Sequence, residues 1–157
     1  MIKEFGRLNE EERDLLLKAP AMVTILIAGA DDDIDDQEKD KAERLAKFKG
    51  ISGDSPLLPY YTEVHQNFSL QLQDLVKDYP AMAELRNPII SKQLELLNNI
   101  LPKLPREYAI ELYKSWRSFA KNIAEASGGF LGFLSVGSQE KDWVELPMIQ
   151  DPRTYTS

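Results

Sequence analysis

"AMVTILIAGADDDIDDQEKD", residues 21–40, decides how this chain is read. Its first half is apolar all round a helical turn. A helix with no polar face belongs at the centre of a bundle, because no side is left for water. Its second half, 31–40, holds seven acids and one lysine, a net charge of −6. The whole chain carries −7, from 26 acidic and 19 basic residues, so the remainder is at −1 by difference. The acidity is therefore local, and it follows directly on the most apolar segment.

Outward from that stretch, helical signals dominate. Asn9 followed by Glu12 forms a capping-box pattern, from which a helix runs to about Ala30. Pro20 is expected to kink or split it, since proline lacks the N–H and clashes with the preceding turn. Asp35 with Glu38 repeats the cap signal, and a helix from Gln37 to Lys49 follows, with Ala42, Leu45, Ala46 and Phe48 inward and Gly50 as its stop. Residues 51–59 read as a loop in which Ser55 and Pro56 open the next helix. Tyr61, Val64, Phe68, Leu72, Leu75 and Tyr79 then keep helical spacing down to Pro80. Asn87 and Pro88 start another helix, with Ile90, Leu94, Leu97 and Leu101 on one face. Pro105 opens a long one, with Ala109, Leu112, Trp116, Phe119, Ile123 and Ala126 inward. Few segments alternate with period two. The expectation is an all-α bundle of six to seven helices in one domain, 1–150, with a tail at 151–157.

Composition narrows the function. With 157 residues, 43% of them hydrophobic, the chain can build a real core. It has no cysteine, which excludes disulfides, thiolate metal sites and cysteine nucleophiles. No Lys/Arg cluster offers a stripe for phosphates, so nucleic acid is not an expected partner. The N-terminus MIKEFGRLNEEERD lacks the apolar core of a signal peptide, and Ala19 to Ala30 is too short to span a bilayer. A cytoplasmic protein without a membrane span is the expectation. No Ser–His–Asp set, HExxH motif or nucleophile elbow is present, and His65 has no partner constellation, so no enzymatic activity is expected. "YYTE", 60–63, offers either exposed aromatics or, more commonly, half-buried packing.

Two short patterns recur. "IAGA" at 27–30 is echoed by "IAEA" at 123–126, and "QEKD" at 37–40 returns letter for letter at 139–142. In each case an apolar helix ends, a loop follows and a new helix starts at QEKD. The second loop is longer by six residues, Ile123 to Gln139 against Ile27 to Gln37. The shared order suggests an internal duplication.

The acidic stretch is not an EF-hand. Started at Asp31, the loop has Asp36 where glycine is required and Ala42 where the final glutamate is required. Two readings of it remain. Five aspartates within six positions repel one another, and a hard divalent cation such as Ca²⁺ or Mg²⁺ would relieve that. Equally, Asp35, Asp36 and Glu38 stand at an expected helix start, where free N–H groups and the helix dipole favour anions.

"ADDDIDDQE", 30–38, resembles the ADGxIDxxE signature of the TerB-like tellurite-resistance family, with Ala30, Asp31, Ile34, Asp35 and Glu38 on the motif. Asp32 stands where the signature has glycine. The second half repeats the frame in outline, with Ser127 at the Asp slot and Glu140 at the Glu slot. The resemblance implies an all-helical domain of two similar halves in a stress response of the tellurite type. It also implies a divalent cation, Ca²⁺ or Mg²⁺, held by Asp31, Asp35 and Glu38 with Glu140 reaching across.

The second half also carries GGFLGFLSVG, 128–137, which the signature does not require. Lacking GK[ST] and a preceding strand, it is a weak phosphate cradle. Exposed, Phe130, Leu131, Phe133 and Leu134 would form an apolar surface for a protein or membrane partner; folded inward, they would close the bundle.

Overall fold

Asn9 Oδ1 accepts from the Glu12 backbone N–H at 2.8 Å, and Glu12 Oε1 accepts from the Asn9 N–H at 3.0 Å. The reciprocal pair occupies two donors that a helix start leaves free, and helix α1, Glu10–Ala28, begins there with three glutamates in its first turn. The structure, a computed structural model, describes residues 2–28, 55–126 and 143–155. From Ala19 to Ile27 every residue of α1 is buried. Thr24, the polar member of that run, donates its hydroxyl to the Pro20 carbonyl at 2.8 Å and so pays no desolvation penalty.

Helix α1 passes through Pro20 unbroken. Proline withholds the N–H that would reach the Leu16 carbonyl, four residues back. That carbonyl instead accepts from the Tyr60 hydroxyl at 2.6 Å, and the same hydroxyl accepts from Trp116 Nε1–H at 3.0 Å. The split expected at Pro20 does not occur, because a distant side chain supplies the missing donor.

Tyr60 belongs to helix α2, Leu58–Asp78. Ser55 prepares its start: its hydroxyl accepts from the Leu57 N–H at 3.1 Å. Tyr60, Tyr61, Val64, Phe68 and Leu72 form its buried face. Helix α3, Ala83–Glu95, begins before the expected Asn87–Pro88 start. The Met82 carbonyl already accepts from the N–H groups of Leu85 and Arg86, so the first turn closes there. Pro88 then sits inside the helix, and the bond it cannot make falls at Glu84, an exposed residue. Two 3-10 turns, Leu96–Asn99 and Leu101–Lys103, lead on to helix α4, Arg106–Ala126. On α4 Ala109, Leu112, Trp116, Phe119 and Ile123 are buried, as their spacing requires.

The described residues thus contain four α-helices and no strand, an all-α fold. The further helix expected at 37–49 lies outside them, and of the one expected from Gln139 the described part is helical at Trp143 and Val144. Helix α1 is the hub, packed against α2, α3 and α4. Its pairing with α4 has a definite sense. Phe5 and Tyr108, beside the two helix starts, meet edge to face at 6.3 Å, and Glu12 reaches Lys103 at 2.6 Å. Further along, Leu16 and Trp116 share Tyr60. Both helices therefore lead from neighbouring starts to the shared Tyr60, so α1 and α4 run in the same general direction.

Residues 143–155 close over α4 and the 3-10 turns. Asn98 clamps this segment, donating to the Met148 carbonyl at 2.9 Å and accepting from the Gln150 N–H at 2.8 Å. Leu146 is held at φ 51°, a left-handed backbone that leucine rarely adopts, and its side chain is buried. Residues 151–155, read from sequence as a tail, carry a short 3-10 turn, Pro152–Thr154, capped by Asp151. Pro152 is buried and Tyr155 packs against the core.

Candidate functional site

The eight residues singled out by the sequence, Asp31, Asp35, Glu38 and Glu140 for a cation and Phe130, Leu131, Phe133 and Leu134 for a partner, lie outside the described residues. The helices that lead to them are described. Helix α1 ends at Ala28, three residues before Asp31, and α4 ends at Ala126, just before Ser127. From the shared Tyr60 rung, α1 extends from Leu16 to Ala28, about 18 Å, and α4 from Trp116 to Ala126, about 15 Å. Since the two helices run the same way, both ends lie toward the same end of the pair. The ends of α1 and α4 that carry Ile27 and Ile123 are thereby brought to one side of the molecule. Among the described residues no group of three or more His, Asp or Glu is placed to hold a metal.

Aromatic residues dominate the middle of the bundle. Tyr60 and Tyr61 are both fully buried, rather than exposed or half-buried. Their rings meet edge to face at 4.8 Å, and the Tyr61 hydroxyl shares a 2.6 Å hydrogen bond with Ser115 Oγ. Burial pushes both phenols up from their ordinary range, and Tyr108 likewise. A phenol held neutral, with its hydrogen bonds committed to a carbonyl, an indole or a serine, is a structural tie rather than a proton donor for chemistry. Trp116 belongs to this tie, Trp143 packs against the core, and His65 stands exposed on α2.

A second feature was missed by sequence reasoning. A cleft of about 670 Å³ opens between the first half of α1, the end of α2 and the end of α3 with its following 3-10 turn. Leu15, Leu75 and Leu96 are among its apolar lining, and Glu11, Asp14 and Asp78 stand among its acids. Glu12 also lines it; the Lys103 ammonium, and after it the Asn9 N–H, hold that carboxyl below its usual range. Tyr79 donates to Gln93 Oε1 across one wall, and burial pushes its phenol up to about 12. Beside the cleft, α3 and its two flanking residues show water a row of large apolar side chains, Met82 before the helix, Leu85 and Ile89 on it, and Leu96 just after it. The signal was present: these four recur at intervals of three, four and seven, on a different face from Ile90, Leu94 and Leu97. The buried face was read and the second one was not.

Among the described residues no helix is long and apolar enough to cross a membrane. No protein family's sequence profile, no curated protein and no solved structure matches the chain.

Proposed function

We propose that this chain is a non-enzymatic helical module that binds a divalent cation, Ca²⁺ or Mg²⁺, through the acidic stretch 31–38. Asp31, Asp35 and Glu38 supply carboxylate oxygens, and Glu140 contributes from the second half. The observation that carries this reading is the shared direction of α1 and α4, tied through Tyr60. Two antiparallel helices would point Ala28 and Ala126, which lead into the two frames, toward opposite ends of the pair; two helices in the same sense point them toward one. Concentrating −6 of charge in ten residues costs repulsion that a cation offsets. The resemblance of residues 30–38 to the TerB-like signature points the same way and places the module in a stress response of the tellurite type.

Melting temperature tests this reading. A ligand that binds only the folded chain stabilises it by about 2.7 kcal/mol at 100 times its dissociation constant. Millimolar Ca²⁺ or Mg²⁺ added to chelator-treated protein is expected to raise the midpoint, and Asp31→Asn/Glu38→Gln to abolish the rise. An equal midpoint with and without metal would refute it.

A further inference from the structure

We propose that the cleft between α1, the end of α2 and the end of α3 docks a basic amphipathic helix from another protein. Three features of the described surface converge on that occupant. Its lining is apolar where a side chain would insert, at Leu15, Leu75 and Leu96. Its acids, Glu11, Asp14 and Asp78, outnumber its one free-standing base, Lys18. The row on α3 extends the apolar surface outward from Leu96: Met82 is 53% exposed, Leu85 58%, Ile89 40% and Leu96 53%.

That row has the spacing of a helix-packing seam, interrupted at Lys92 where the next apolar position would fall. Isolated exposed leucines need no explanation, but four large apolar side chains in helical register beside a cleft, broken only at Lys92, form a patch that does. A helix laid on it presents apolar residues at i, i+3, i+4 and i+7 to the seam. Its flanking residues then face the acids of α1 and α2, so lysines or arginines there are complementary and acids are repelled. A second copy of this chain is the wrong occupant. It carries −7, and symmetric pairing would set acidic rim against acidic rim.

The test uses the full chain in EDTA, so it does not depend on cation binding. A fluorescein-labelled helical peptide of about 18 residues, with leucine at the seam positions and lysine elsewhere, is titrated and followed by anisotropy. A peptide of the same composition, shuffled so that its leucines share no face, is the control. Saturable binding is expected, weakened about tenfold or more by shuffling and by Ile89→Glu/Leu96→Glu, and weakened by Asp14→Lys/Asp78→Lys. These side chains are at the surface, and unchanged circular dichroism verifies that the variants fold. Amide shift changes in the wild-type chain are expected at 75–79 and 93–100, which keeps the question decidable without any variant. Equal binding of the shuffled peptide, affinity unchanged in the cleft variants, or shifts confined to 31–40 would each overturn the proposal.

Discussion

The Tyr60 hydroxyl occupies the place of an amide proton that residue 20 cannot provide, from 44 positions away in sequence. Removing it strands two buried groups, the Leu16 carbonyl and the Trp116 indole N–H, each costing about 1–3 kcal/mol. Tyr60→Phe is therefore expected to destabilise the fold by about 2–6 kcal/mol in urea unfolding. Pro20→Ala restores a backbone N–H to the Leu16 carbonyl. It should recover about 1 kcal/mol more in the Tyr60→Phe background than in the wild type. Strict additivity of the two changes would contradict the assignment. At this scale the Asn9–Glu12 box was fully legible, because both partners lie within four residues. The Pro20–Tyr60 pairing was not: periodicity places Tyr60 near a helix start and says nothing of which carbonyl it meets.

Among the elements, α1 carried the clearest message. Its apolar run from Ala21 to Ile27 is buried on all sides, as a segment without a polar face must be. Leu26→Ala is expected to cost about 2–5 kcal/mol through lost transfer energy and the cavity left behind. Leu70→Ala, at a position 66% exposed on α2, should stay within about 0.5 kcal/mol. Comparable losses at the two positions would mean that α1 is not the hub. Helix α3 was legible by half. Ile90, Leu94 and Leu97 fit one inward face, but the cap-like Asn87–Pro88 pair drew the start too late in the chain. Asn87 is buried within the helix, and the turn that starts α3 is set by backbone bonds from Met82, for which no side-chain signal exists.

For the whole molecule, pH acts from both sides. Lys103 and Arg153 hold the Glu12 and Asp151 carboxyls below their usual range. Their contribution is present above the unfolded carboxyl values, about 4, and is lost as pH falls through the folded ones. Both groups lie at the surface, half-buried beside solvated partners, so the acid effect is small and weakens with salt. The alkaline side is steeper. Tyr60, Tyr61 and Tyr108 have phenols raised by burial, so above about pH 10 the unfolded chain gives up protons that the folded chain keeps. Stability should then fall by about 1.4 kcal/mol per pH unit for each such tyrosine. Tyr61→Phe should flatten that slope, and an unchanged slope would show that its phenol is not protected. The fold class was legible at this scale because helical periodicity and proline placement repeat through the chain. The acidic stretch was legible as a concentration of charge. The apolar seam was legible in its spacing, whereas the cleft beside it was not, since it needs three helices to assemble.

We propose that two distant parts of the chain, 31–38 and Glu140, hold one cation between them. Calorimetric titration of Ca²⁺, and separately of Mg²⁺, into chelator-treated protein tests it most directly, with Glu140→Gln beside Asp31→Asn/Glu38→Gln. One saturable site per chain is expected, lost in the double variant and clearly weakened in the Glu140 variant. No heat at millimolar metal, or a site indifferent to all three changes, would contradict it and leave the acids as a helix cap.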